Sequence, residues 1–223
     1  MERDIEQHLV NWNLFKAYGE FNIKFEGIVD RFRKLLIDLV KKYYGFEVDW
    51  EDENTDRLPE YMQDRLLKII LHDDGAMAII EKCRSCFMDS TSQEVVSILK
   101  ANQINPINLN IFDIQVAKLL FKKAIQLVNV RNILIHTNFN EDFFGWNPLT
   151  ELKGAKDKKI AKGFKEVNYI FVLTNLELFN EQMEKFYLHI RKLQFAIYNE
   201  EENFNENDLN EITAMVFQIE TNS

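Results

Sequence analysis

Cysteine, proline and glycine are all scarce in this chain of 223 residues, which contains 2 Cys, 3 Pro and 7 Gly. Two cysteines do not suggest a disulfide scaffold. All-β sandwiches and barrels need many turns, and Gly and Pro are the residues that favour turns, so their scarcity indicates long helices instead. Because 46% of the residues are hydrophobic, the chain has enough apolar material to build a sizeable core. We therefore predict an all-α fold.

Long hydrophobic runs are also missing. No stretch approaches the roughly 20 apolar residues of a membrane span. The N-terminus, Met1 to Glu6, carries charges where a signal peptide would be apolar. Neither a Gly-rich phosphate loop nor a Ser-centred elbow is present, and no cofactor is expected. These absences predict a soluble cytoplasmic protein without a membrane partner.

The negative charge is concentrated at the C-terminus. The chain has a net charge of −9, and residues 199–223 contribute −7 because they contain seven acidic residues and no Lys or Arg. The remainder is nearly neutral, which leaves binding to RNA open. We predict a helical domain over residues 1–198 and an acidic tail over residues 199–223. The tail is a solvated end, with a short helix within Leu209 to Phe217, or it screens the lysines of residues 153–165 or docks on a partner protein.

A lysine cluster lies between Lys153 and Lys165. It has two interpretations: a solvated loop, or an arm that binds the phosphates of RNA beside a catalytic cleft. Its members proposed as RNA-binding residues are Lys153, Lys156, Lys158, Lys159 and Lys162.

Helical spacing recurs along most of the chain, and it predicts a bundle of about five helices. One strand-like alternation, Val167, Tyr169, Phe171 and Leu173, predicts a small β-hairpin insertion near residues 144–173. The longer helices are expected from 21 to 39, after Pro59, over 76–88, over 111–137 and after a capping box that begins at Thr174. Two short helices are expected around 5–18 and after a capping box that begins at Thr91. The acidic stretch from Glu47 to Asp56 is predicted to be a loop.

The segment from Ile111 to Thr137 is apolar around most of its circumference, as a buried helix would be. A single polar line interrupts it at spacings of 3 and 4, and this line consists of Gln115, Lys118, Lys122, Gln126, Asn129, Asn132 and His136. Arg131 is not on that line. At about 100° per residue it points among Leu120, Ala124 and Leu127. An arginine on an apolar face needs a carboxylate, another subunit or a charged ligand.

The motif Arg131-Asn132-Ile133-Leu134-Ile135-His136 resembles the signature of the HEPN superfamily. That signature is an Arg, usually followed by a polar residue, and then a His four to six residues after the Arg, late in a long core helix. The matching motif covers six residues, and the resemblance of the architecture covers residues 20–198 loosely.

The resemblance implies a metal-independent endoribonuclease of the toxin or anti-phage defence kind, acting as a homodimer in which two copies of the motif face each other. It implies that Arg131, Asn132 and His136 are catalytic. Lys118 and Lys122, on the polar line of the same helix, are predicted to contact RNA. A His can exchange protons near neutral pH, and an Arg provides a permanently charged fork for the phosphate. An antitoxin or a sensor protein is the expected partner that controls such an activity.

Three alternatives remain open at this point. Arg131 could form a buried ion pair while His136 lies at the surface near a helix C-terminus, where its charge is favoured. The chain could be a HEPN-fold module that binds RNA, a nucleotide or a protein without catalysis, or a structural bundle in a larger assembly. One HEPN subset carries a Tyr two positions after the His, which a partner enzyme modifies. Asn138 occupies that position here, which puts such modification in doubt.

The remaining candidates for chemistry are weak. Cys83 and Cys86 form a single CxxC pair without the second pair that a structural zinc site needs, so ordinary helix cysteines are expected. His8, His72 and His189 show no partner pattern, and His72-Asp73-Asp74 is interpreted as a polar turn. No metal site is predicted.

Overall fold

The computed structural model describes a bundle of α-helices. The described residues are 2–43, 74–101, 106–107, 109–136, 151–152, 167–198 and 203–218. The helices among them are α1 (Glu2–Tyr43), α2 (Ala76–Ser90), α3 (Gln93–Ala101), α4 (Ile111–His136), α5 (Tyr169–Tyr198) and α6 (Glu206–Ala214). Of these, none is both long enough and apolar enough to cross a membrane. The prediction of an all-α fold is confirmed.

Helix α1 is continuous, whereas the sequence predicted a break near residue 19. Leu14, Ala17, Phe21 and Phe25 are all buried and are separated by 3, 4 and 4 residues, so one apolar face runs through the predicted break. A single Gly in a helix costs only about 1 kcal/mol relative to Ala, and burial of this face outweighs that cost. Gly19 therefore lies inside the helix instead of ending it.

Helices α1 and α5 run in the same direction, and polar contacts line their shared edge. Asn180 Nδ2 donates to the carbonyl of Ala17 at 2.9 Å. One turn further along α5, Glu184 pairs with Lys24 at 2.7 Å. Further along both helices, Arg31 Nη1 donates to Gln194 Oε1 at 3.0 Å. These contacts fix the register of the two longest described helices.

Phenylalanine rings join α1 to the other helices in the core. Phe32 and Phe87 each lie 5.6 Å, between ring centroids, from Phe121 of α4. On the α5 side, the rings of Phe21 and Phe179 are 6.4 Å apart. Such pairs contribute about 0.5–1.5 kcal/mol each beyond the burial of their area. The core therefore has an aromatic centre with α1 on one side of it.

The hairpin prediction needs correction. Glu151 pairs with Asn168 and Leu152 with Val167 in an antiparallel ladder of two residues per strand, β1 (Glu151–Leu152) and β2 (Val167–Asn168). The strand predicted through Leu173 is wrong, because the chain is helical from Tyr169 onward. A hairpin insertion is not seen beyond this ladder in the described residues. The run Tyr169 to Leu173 is apolar at every position, and such a short run fits a helix as well as a strand.

Two predicted caps are also displaced. The Thr174 capping box lies inside α5, which begins five residues earlier. At α3 the cap is Ser92, whose Oγ accepts from the backbone N–H of Val95 at 3.2 Å. Thr91 instead donates its hydroxyl to the carbonyl of Phe87 at 2.9 Å, at the end of α2.

The C-terminal segment packs into the bundle, although we expected a solvated tail. Phe204, Ile212, Met215 and Phe217 are all buried in the same apolar cluster as α1, α4 and α5. Within α6, Ile212 is buried and Leu209 packs against the same cluster, whereas Phe204, Met215 and Phe217 flank the helix on either side. Burial of these apolar side chains outweighs the loss of chain entropy. The short helix predicted within Leu209 to Phe217 is instead Glu206–Ala214.

Several predictions fall on residues outside the described part of the chain. These are the acidic loop from Glu47 to Asp56, the helical region after Pro59 and the lysine cluster from Lys153 to Lys165.

The packing of the C-terminal segment predicts that Phe217→Ala destabilises the protein by about 3–5 kcal/mol, because the ring is buried between Phe179 and Phe186. The neighbouring Val216 is half exposed, so Val216→Ala should change the free energy of unfolding by less than about 1 kcal/mol. Urea unfolding of the two variants beside wild type measures both values. Equal, small effects would show that residues 203–218 are not part of the core.

Candidate functional site

The C-terminal half of α4 carries the sequence motif. Asn110 begins this helix, because its side-chain oxygen accepts from the N–H of Asp113 at 2.8 Å. Val116, Leu120, Phe121, Ala124 and Leu127 then form a fully buried face. His136 is the last residue of the helix, and its side chain lies outside the described part of the structure.

The polar line predicted on α4 faces solvent. Gln115, Lys118, Lys122 and Asn129 are exposed, and Gln126 and Asn132 are half-buried. Lys118 and Lys122 are therefore accessible to a ligand. Lys123, one residue further, is partly buried and binds the C-terminal segment: its ammonium group donates to the carbonyl of Thr213 at 3.0 Å and to that of Met215. Burial, and then the adjacent charge of Lys122, lower the pKa of Lys123.

Arg131 lies on the opposite side of α4 from that line, at the centre of the buried arc. It is half-buried, and its guanidinium carbon is 5.7 Å from the centroid of the Phe25 ring of α1. This distance is within the range of a cation–π contact. Phe25 is 1% exposed, so the ring beneath the guanidinium is part of the core.

The hydrogen-bonding groups of Arg131 are largely unused by the described residues. Nη1 is 3.4 Å from Oδ1 of the adjacent Asn132, which is at the long limit for a hydrogen bond. The Nε atom is buried and has no hydrogen-bond partner among the described residues. Among the described residues, no carboxylate lies within ion-pair distance of Arg131. The buried ion pair that was the alternative interpretation of Arg131 is thus not found there.

Helix geometry separates Arg131 from His136 within one chain. Five residues of α-helix correspond to about 7.5 Å along the axis and a rotation of about 140°. Positions 131 and 136 therefore lie on different faces of α4. Both groups can meet one phosphate only through long side-chain reach or through a second copy of the chain.

A second charged cluster lies between α5 and α6, where no sequence pattern predicted it. The ring of His189 is 6% exposed, with Nε2 3.1 Å from Glu211 and Nδ1 3.6 Å from Asp208. Partial burial alone would raise the pKa of Asp208, but the hydrogen bonds from Lys192 and the Asn205 backbone and the nearby positive charges lower it. The acidic residues after position 199 were a possible signal, since a buried His needs a partner.

Burial makes the thiols of Cys83 and Cys86 unreactive. Burial raises the pKa of Cys86 to about 11 and raises the pKa of Cys83 well above its ordinary value. Both thiols therefore stay protonated at neutral pH, as ordinary core cysteines do. In the described ranges, no group of three or more His, Cys, Asp or Glu side chains is arranged to hold a metal ion.

Comparisons with models of protein families, with curated proteins and with solved structures give no match. The case for a function therefore depends on the residues of this chain.

Proposed function

We propose that the chain is an endoribonuclease that cleaves RNA by attack of the 2′-OH on the adjacent phosphate, at a site formed by two copies of the Arg131-to-His136 motif. The observation that carries the proposal is the state of Arg131: a permanent positive charge on the buried face of α4, placed over an aromatic ring and without a carboxylate partner in the described structure. An uncompensated charge at such a position is costly, and an anionic ligand removes the cost.

In this reaction Arg131, Asn132 and His136 each have one role. As the 2′-oxygen bonds to phosphorus, its proton passes to His136 of one subunit. The bond from phosphorus to the 5′-oxygen then breaks, and the second copy of His136 protonates the leaving oxygen. Arg131 stabilises the extra negative charge of the pentavalent phosphate, and Asn132 orients the guanidinium. The products are a 2′,3′-cyclic phosphate and a 5′-OH.

The scheme requires a homodimer, because one chain provides a single copy of His136 whereas the reaction uses both a proton acceptor and a proton donor. A closed two-fold dimer would place both histidines at one cleft. The 140° between Arg131 and His136 on α4 fits the same arrangement, since each side chain can approach the phosphate from a different direction.

Cleavage of total cellular RNA in EDTA tests the proposal. Wild type should cleave the RNA. His136→Ala should lower kcat by about 10²–10⁴-fold through loss of proton transfer. Arg131→Lys should lower kcat by about 10²–10³-fold, because the paired N–H donors of the guanidinium are lost while the positive charge stays. Arg191→Lys is the matched control, since Arg191 also lies over an aromatic ring, that of Phe195, but at an exposed position of α5. Its activity should equal that of wild type.

Cleavage that survives both motif substitutions would reject the assigned site. Binding of intact RNA without cleavage by wild type would favour a non-catalytic binding module. Absence of RNA binding would favour a structural bundle.

The exposed lysines of α4 provide a separate prediction on binding. Lys118→Gln and Lys122→Gln should each weaken the binding of an uncleavable 2′-O-methyl RNA, and each should reduce the slope of log K against log salt by about 1. Lys100 is exposed on α3, so Lys100→Gln is the control and should leave the slope unchanged. Fluorescence anisotropy at several salt concentrations measures the slope. Equal slopes for all three variants and wild type would exclude α4 from the RNA interface.

A further inference from the structure

Three arginines of the described chain lie over aromatic rings, and they differ in what else they contact. Arg31 is 4.8 Å from the Tyr187 ring centroid, and it also donates to Gln194 and to the Tyr187 hydroxyl. Arg191 is 5.2 Å from the Phe195 ring and is exposed to solvent. Only Arg131 of the three combines a fully buried ring with a buried Nε that has no partner in the described structure.

The ring of Phe25 is held firmly, so it can fix the direction of the guanidinium. Phe25 is 1% exposed, and its ring lies nearly parallel to that of Phe21, with a centroid distance of 6.2 Å and an interplanar angle of 13°. A buried aromatic side chain at a packed helix seam has a single rotamer. Its face therefore offers a fixed platform, whereas a flexible arginine without one loses several rotamers on binding a ligand.

We propose that Phe25 is a positioning residue, which acts through Arg131 by holding the guanidinium over its ring so that the terminal nitrogens are ready for a phosphate group. The inference builds on the proposed function, and it adds a residue from a different helix, about 100 positions earlier in the chain. It also explains why Arg131 is tolerated on the buried face of α4: the quadrupole of the ring partly compensates the charge without neutralising it, as a carboxylate would.

Nuclear magnetic resonance of the Arg131 Nε–H group tests the contact directly, whether or not the protein cleaves RNA. The resonance is identified by its loss in Arg131→Lys. Phe25→Leu should move it downfield, because a group over a ring face is shielded by the ring. Phe32→Leu is the matched control: Phe32 is equally buried on α1 but contacts Phe121, so this variant should leave the resonance in place.

Ligand binding and turnover separate positioning from stability. Phe25→Leu should weaken the shift of Arg131 caused by inorganic phosphate and lower kcat/KM by about 3- to 30-fold, which corresponds to the loss of one cation–π contact. Phe25→Tyr keeps the ring but buries a hydroxyl, so it should lose stability and yet retain the wild-type resonance, phosphate response and kcat.

The outcomes distinguish this inference from the proposed function. An Arg131 resonance that is the same in wild type and Phe25→Leu overturns the inference, even if RNA is cleaved. Equal losses of activity in Phe25→Leu and Phe32→Leu overturn it as well, because they reflect stability alone. A ring-shifted resonance that responds to phosphate, in a protein that does not cleave RNA, supports Phe25 as the positioning residue and rejects the nuclease.

Discussion

The apolar face of α1 is the surface on which the rest of the described structure depends. Helices α2, α4 and α5 all pack against it, and its phenylalanines provide the aromatic contacts to α4 and α5. Since packed cores resist small displacements, the position of α4 is set by this seam. The same seam contains Phe25, so the surface that stabilises the bundle also holds Arg131. Stability and the candidate site are therefore coupled through one helix.

The central feature of the site is a conflict between Arg131 and its surroundings. Natural sequences usually satisfy each local preference, and exceptions concentrate where function requires them. An arginine at the centre of a buried arc, with an aromatic ring below it and no described carboxylate beside it, is such an exception. By contrast, Lys123 on the same helix is satisfied by two backbone carbonyls. The comparison separates a cation used in folding from one that remains available to a ligand.

The sequence predicted the helical class, the length of α4 and the polar line along it, because these follow from the spacing of residues within a helix. It failed where two local signals compete or where contacts are distant. The apolar run after Asn168 fits either a strand or a helix, and tertiary context selected the helix. The acidic composition of residues 203–218 concealed their apolar face. The contact between Phe25 and Arg131 joins residues far apart in the chain, so no local pattern could indicate it.

Subunit mixing tests the composite site most directly. Wild type is allowed to exchange subunits with an equal amount of His136→Ala, and RNA cleavage is measured against wild type alone at the same total chain concentration. If both copies of His136 serve one cleft, mixed dimers are inactive. About one quarter of the activity of wild type alone should then remain, because only one quarter of the dimers contain two wild-type chains. If each chain acts alone, about one half should remain. A result of one half, with exchange verified by mass spectrometry, would contradict the account.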